Sequence, residues 1–283
     1  MLTSQHCPMA ALPSTSASTQ LDAAARVLRE AERLLIFTGS GVSAESGIAT
    51  FRDAGGLWEE YRLERYATIE AMLGTATRDP DEVVRFLGDV LAPVARAAPN
   101  PAHHAIAALE KHLHATVVTQ NVDGLHQEAG SHGVRQLHGS LLEVADLHGR
   151  VIRRIRRPEL GQVAARLELA RSGRLPLLRA LWAIRRLLGL SWTGLYRPNV
   201  VLFGEPLREP DWEDAQRGAA LCDAMLIVGT SGMVLPAAEL PLRARMRGAA
   251  TILVDPSTDV AADIQLQGRA GDLLPELVRR AFG

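Results

Sequence analysis

Four short apolar runs punctuate the chain, at residues 34–37, 115–118, 225–228 and 251–254. Each stops in small polar residues: Thr38-Gly39-Ser40-Gly41, Thr119-Gln120-Asn121, Gly229-Thr230-Ser231 and Asp255-Pro256. Runs this short, bounded by turn formers, predict buried strands. Between them the spacing becomes helical: Leu21, Ala24, Ala25 and Leu28 predict a helix over 21–32, and residues 101–112 and 212–221 carry similar patterns. Buried strands alternating with helices indicate an α/β fold, a parallel sheet with helices on both faces. Such sheets bind ligands at the carboxyl ends of their strands, so the polar turns should share one crevice.

Two stretches of different texture interrupt this alternation: a helical region near residues 59–98 and a basic one from 149 to 197. They predict a smaller, mainly helical domain formed by insertions. The expected division is a disordered tail over 1–20, rich in Ser, Thr, Ala and Pro; a sheet domain from 21–58, 115–148 and 197–283; a helical part of the small domain over 59–114; and an Arg-rich helical insertion over 149–196.

Composition narrows the class. The chain has 283 residues, 47% hydrophobic and 22% charged, the mixture of a globular protein rather than a disordered or disulfide-stapled one. A net charge of −1 gives no general attraction to nucleic acid. That figure hides an asymmetry: residues 150–197 hold twelve Arg against Glu159 and Glu168, about +10, which leaves −11 for the remainder. Cys7 and Cys222 can build neither a disulfide framework nor a four-cysteine zinc site. No signal-peptide core precedes Arg26, and the apolar stretch 175–192 is broken by Arg179, Arg185 and Arg186, so a cytoplasmic location is expected.

The turns carry the chemistry. Residues 38–47 begin like a dinucleotide loop, in which glycines let backbone N–H groups approach a pyrophosphate, as in a Rossmann-like domain. The acid that a simple dehydrogenase places about 20 residues later is unconvincing, because Glu59 and Glu60 follow Gly-Leu-Trp rather than a second strand. Phe51, Arg52, Asp53 and Trp58 sit in a glycine-containing segment suited to closing over a ligand, and Arg52 suits phosphate or ribose oxygens. Asn121 and Asp123, just after a buried strand, are either helix caps or groups that position a water and the amide of a nicotinamide. His138, beside Gly139, is the best candidate base; the remaining histidines, His126 and His103 among them, are for the most part expected at the surface.

Taken in order, residues 39–52, Thr119-Gln-Asn-Val-Asp-Gly-Leu-His126, Leu137-His-Gly-Ser140, Arg197-Pro-Asn-Val-Val-Leu-Phe-Gly-Glu205, Val228-Gly-Thr-Ser231 and Leu266-Gln-Gly-Arg-Ala-Gly271 resemble the successive motifs of the sirtuin (Sir2) family. The resemblance spans residues 34 to about 275 and omits the tail and residues 149–196. It implies an NAD-dependent protein-lysine deacylase, for acetyl or longer apolar acyl groups. NAD is then a co-substrate, and the acyl group ends on ADP-ribose with release of nicotinamide. It further implies that His138 is the general base and that Asn121 and Asp123 line the nicotinamide pocket. Gln120 would contact ribose. Gly39, Ser40, Gly41, Ala44, Glu45, Phe51 and Arg52 would form the cofactor loop, while Gly229, Thr230, Ser231, Asp255 and Ala270 would hold the adenosine side. Val201, Phe203, Gly204 and Glu205 would be a strand that pairs with the backbone of an acyl-lysine peptide.

Four departures from the family pattern matter. No Cys lies between His138 and Cys222, where sirtuins carry two Cys-x-x-Cys pairs for structural zinc, so no metal is expected. The Arg-rich insertion stands there instead, with Leu177, Leu181, Ile184 and Leu188 on one helix face opposite Arg179 and Arg186. Packing in place of the zinc module is its expected role, ahead of binding an anionic membrane surface, acidic partner or nucleic acid. Ser40 replaces a usual Ala, and no Asn stands near Asp255 for the adenine ribose. Around residues 84–88 the Tyr-x-x-Arg pair that binds succinyl-lysine is missing, with Leu87 in the place of the Tyr. Two alternatives to a deacylase are an NAD hydrolase or ADP-ribosyltransferase on the same frame, and a non-catalytic NAD-binding module. The second has no use for Asn121, Asp123 and His138 together.

Overall fold

The computed structural model describes residues 17–50, 61–173, 177–191, 194–257 and 260–283. In chain order, α1 (Ala17–Glu30) leads into β1 (Arg33–Thr38) and the single turn α2 (Gly41–Ala44). Next come α3 (Leu63–Tyr66), α4 (Ile69–Arg78), α5 (Pro80–Arg96) and α6 (Pro101–Leu109). β2 (His114–Thr119), α7 (Leu125–Glu128), β3 (Val134–Gln136), β4 (Gly139–Asp146) and β5 (Val151–Arg154) precede α8 (Arg157–Arg171), α9 (Leu177–Leu187) and β6 (Tyr196–Val200). The chain closes with α10 (Asp211–Leu221), β7 (Ala224–Val228), α11 (Leu240–Met246), β8 (Ala250–Asp255), β9 (Ile264–Gln267) and α12 (Ala270–Phe282). Side-chain caps set several starts: Thr68 accepts from Ala71 N before α4, Asp79 from Glu82 N before α5, and Asn100 from Ala102 N and His103 N before α6.

Six strands form one parallel sheet in the order β3-β2-β1-β7-β8-β9. The four predicted runs are its centre; β3 and β9, short and only partly buried, flank them. Successive strand side chains point to opposite faces. Leu34, Ile36, Leu226 and Val228 therefore pack under α1, α6 and α12, whereas Leu35, Phe37, Met225 and Ile227 pack under α10 and α11. The first helix begins at Ala17, inside the stretch expected to be tail, because Leu21, Ala24, Ala25 and Leu28 anchor it to the core.

A second body is built on the antiparallel sheet β5-β4-β6 with α5, α8 and α9 around it. Its core joins Val84, Leu91 and Val94 of α5, Leu141 and Val144 of β4, and Leu160, Val163 and Leu167 of α8. Three expected boundaries change. Residues 101–109 belong to the large sheet, since Ala102, Ala105, Ile106 and Leu109 of α6 are buried against it. Residues 139–146 and 197–200, expected in the sheet domain, build the small one. The insertion is not wholly helical, because Val151–Arg154 pairs with β4.

α9 also turns differently from the expectation. Leu177, Ala180, Ile184 and Leu188 face the core, but Leu181 is 45% exposed, beside Leu178 at 81% and Trp182 at 48%. Ala180 is small enough to bring α9 close, and that choice rotates Leu181 outward. Among the described residues, no helix is long and apolar enough to cross a membrane.

Candidate functional site

The strand order reverses between β1 and β7, the place where a doubly wound sheet opens a crevice at its carboxyl edge. The loops after these two strands touch. Gly41 N donates to Gly229 O at 2.9 Å, and a Cβ on Gly41 would lie 2.7 Å from Gly229 Cα. Gly229 has φ +59°, and its own Cβ would meet Val42 N at 2.3 Å. Both positions therefore need glycine. A cavity of about 330 Å³ opens beside them, lined by Gly41, Ala44, Glu45, Gly229, Val254, Arg269 and Ala270. A larger one, about 430 Å³, lies at the opposite end of the sheet around Arg33, His114 and Cys222, away from every polar turn discussed above.

β2 and the start of β4 supply the polar groups. His138 Nδ1 lies 2.9 Å from the carbonyl oxygen of Gln120, which can only accept, so Nδ1 carries the proton. Nε2 is left as the acceptor of a neutral imidazole. Burial pushes the His138 pKa down, against the upward pull of that carbonyl, so the base form dominates at neutral pH. Gln120 Nε2 donates to Thr230 Oγ1 at 3.0 Å, joining the loops after β2 and β7.

Asn121 and Asp123 are buried and fully oriented. Asn121 Nδ2 donates to Gly39 O at 3.0 Å and to Ser43 Oγ at 3.1 Å, which leaves Oδ1 as its side-chain atom for a ligand. Ser43 Oγ donates to Asp123 Oδ2 at 2.8 Å, and Asp123 Oδ1 accepts from Leu125 N at 2.8 Å. Asp123, one residue before the N-cap Gly124, thus holds the first N–H of α7 and is a crevice acid at once. Burial raises its pKa, with Leu125 N–H, the Ser43 hydroxyl and Arg157 acting against the rise.

Two histidines expected at the surface are buried beneath this site. His103 Nδ1 accepts from Asn100 N at 3.3 Å, so Nε2 carries the proton toward Ser43 Oγ at 3.4 Å. Thr38 Oγ1 donates to Thr119 Oγ1 at 2.8 Å and accepts from His126 Nε2 at 3.0 Å. The two rings meet edge to face with centroids 4.9 Å apart, and burial drives their pKa values down to about 4 for His103 and about 3 for His126. Both are neutral hydrogen-bonding groups. Their helical phase, one on α6 and one on α7, was the available signal: each lies on the face that also buries Ile106 or Leu125.

Other expected site residues are placed less simply. Glu45 gives its carboxylate to Gly271 N at 2.7 Å, joining α2 to the start of α12 on the cavity wall. Asp255 Oδ1 accepts from Ser257 N and Oγ, closing the turn after β8. Ser40 precedes α2, Ser231 is exposed, and Ala270 is buried beside the cavity. Phe51, Arg52, Asp53 and Trp58 lie outside the described residues.

The expected substrate strand is corrected. β6 ends at Val200, and Val201, Phe203, Gly204 and Glu205 form a turn. Val201 N donates to His138 O, Phe203 N to Ala67 O, Glu205 N to Leu202 O, and Leu202 N to the Glu205 carboxylate. Glu205 is also paired with Arg197 through two bonds, at 2.8 and 3.1 Å. The N–H groups of 201, 202, 203 and 205 are thus already used, while Phe203 keeps an exposed ring.

Comparison with known proteins agrees with the motif order. The Sir2 family model matches residues 39–236. An NAD-dependent protein deacylase of Thermococcus kodakarensis is 40% identical over 261 residues, 91% of this chain and 94% of its own. NAD-dependent protein deacylase 1 of Pseudomonas aeruginosa is 42% identical over 92% of this chain and 98% of its own. Among solved structures, a Sir2 homologue in complex with NAD superposes with TM-score 0.70 at 35% identity, covering 91% of this chain and 92% of that one. Sir2Af2 bound to a myristoylated histone peptide gives 0.67 at 30% identity, covering 93% and 97%.

Proposed function

The chain belongs to the Sir2 family, and from that premise we infer that it is an NAD-dependent protein-lysine deacylase. NAD, as co-substrate, supplies an ADP-ribosyl centre that takes over the acyl group with loss of nicotinamide. The residues present fit it: a glycine junction too tight for any side chain, a cavity at the switch point, and convergent amides and acids beside it. Gly39, Gly41, Gly229 and Thr230 would hold its phosphate and adenosine side, Asn121 and Asp123 its nicotinamide. The observation that carries the chemistry is the His138–Gln120 bond, which leaves Nε2 unprotonated to take a proton from a ribose hydroxyl.

The test mixes the protein, without added metal, with NAD and a panel of acyl-lysine peptides, and follows nicotinamide and deacylated peptide by mass spectrometry. Nicotinamide matched to deacylation, and absent with His138→Ala, supports the reading. Equal nicotinamide release without peptide points to an NAD hydrolase or ADP-ribosyltransferase on the same frame. One observation favours that second reading: the turn at residues 201–205 has already committed the N–H groups of 201, 202, 203 and 205.

Finer points belong to the same proposal. An apolar acyl group is favoured because Leu87 and Val90, where a succinyl-binding Tyr and Arg would stand, are partly buried among apolar neighbours. The donor set does not fit a structural zinc. Neither cysteine lies between His138 and Cys222, and the described residues hold no cluster of three potential ligands. α8 and α9 close the apolar core of the small body, which supports metal-free packing, so chelation should leave folding unchanged. The outer face of α9, with Leu178 and Trp182 beside Arg179 and Arg186, supports an anionic surface as a second partner; charge-reversed Arg179→Glu/Arg186→Glu would lose it.

A further inference from the structure

Arg157 opens α8 inside the basic insertion, yet its side chain is only 12% exposed and leaves the insertion altogether. Nε donates to Glu128 Oε1 at 2.7 Å, Nη2 to the main-chain carbonyl of Asp123 at 2.8 Å, and Nη1 to the carbonyl of Val94. These acceptors belong to three segments: the end of α7, the loop after β2, and the last turns of α5. Its neighbours Arg154 and Arg156 lie out in solvent, so burial here is particular to this residue.

A guanidinium presents its donors in a fixed planar fork, so three acceptors bonded to one fork hold their mutual spacing. The fork thereby fixes Asp123 from the backbone side, while Ser43 and Leu125 N fix its carboxylate from the other. Its positive charge also favours the ionised form of that carboxyl against burial. None of the crevice motifs supplies this contact; it comes from the stretch between the motifs at 137–140 and 197–205.

We propose that Arg157 is a positioning residue for the Asp123 loop, through which the inserted helix α8 fixes the nicotinamide end of the crevice. The insertion therefore does more than fill space beside β4; it sets how firmly nicotinamide is held. This rests on the assignment of Asp123 to the nicotinamide pocket.

The experiment compares wild type, Arg157→Gln, Arg157→Lys and Asp123→Asn for the KM of NAD, the KM of peptide, inhibition by free nicotinamide and the pH profile. Arg157→Gln is expected to weaken NAD and nicotinamide about tenfold, the scale of a displaced positioning group, with peptide KM within about twofold. The pH below which nicotinamide inhibition weakens should move up, because losing the cation raises the pKa of Asp123. A lysine places one point charge where a fork is needed, so Arg157→Lys should recover that pH but not nicotinamide affinity. Wild-type nicotinamide inhibition in Arg157→Gln overturns the proposal, as does a parallel loss for NAD, peptide and folded fraction. If Arg157→Gln is too unstable to assay, Arg157→Lys decides: unaltered nicotinamide inhibition overturns it. If Asp123→Asn itself leaves nicotinamide inhibition unchanged, the Asp123 assignment has failed and the proposal falls with it.

Discussion

His138 offers a neutral imidazole whose tautomer is set by a main-chain carbonyl, and two expectations follow at the scale of single residues. His138→Ala should lower kcat by about 10³-fold with the melting temperature little changed, the usual size of a lost general base, read by nicotinamide release. The acid limb of the wild-type rate should fall below the ordinary histidine range, since burial lowers the pKa and the base form survives further into acid. His103 carries a stability counterpart. Its folded pKa is near 4 against the ordinary 6.5, so between those pH values the unfolded chain binds a proton that the folded chain refuses. Stability is full above the unfolded pKa and falls as pH drops toward 4, by about 3 kcal/mol for this residue. Melts at pH 7.5 and 5.0 would show about 2 kcal/mol of that loss, and His103→Gln would shrink it. Sequence made Asn121 and Asp123 visible because they follow an apolar run, and His138 because it stands beside Gly139 in a polar cluster. It hid Ser43 and His103, whose meaning depends on what lies across the crevice, and Arg157, which nothing in its local pattern marks.

Elements were legible in proportion to how self-contained their signals are. The central strands are fully buried, so their apolar runs stand out; β3, with three residues, depends on β2 for its pairing, and β4–β6 depend on one another. The helical pattern of α9 was right in period but wrong by a fraction of a turn, because Ala180 reads as neutral in sequence although it is fully buried. In α8, Leu160 is 2% exposed in the core of the small body. Leu160→Ala should cost about 2–4 kcal/mol by denaturant titration, the range for a truncated core leucine. Incubation with a strong chelator should leave the same titration unmoved; a chelator-induced fall would disprove metal-free packing.

At the scale of the whole molecule, two bodies meet at the crevice; among the described residues the chain crosses between them around 97–100, 137–140 and 200–208, and the 120–124 loop touches the small body through Val122. Neither body should fold when expressed alone, because β4 begins beside His138 of the crevice and α5 is tied to the β2 loop through Arg157. Limited proteolysis should accordingly cut the exposed side of the insertion before it separates the bodies, and nicked protein should remain whole on a sizing column.

The register of the small sheet has a practical meaning for this insertion. Asp146 pairs with Tyr196, so the chain leaves β4 and returns on β6 at partners about 5 Å apart, however many residues lie between. Residues 147–195 are in that sense a cartridge with adjacent terminals: another lineage's solution, a metal-clasped ribbon for instance, can be plugged into the same socket without moving the crevice. A chimera carrying such a ribbon should fold, acquire sensitivity to chelators, and hold nicotinamide more loosely, since the clasp of Arg157 would have left with the original part.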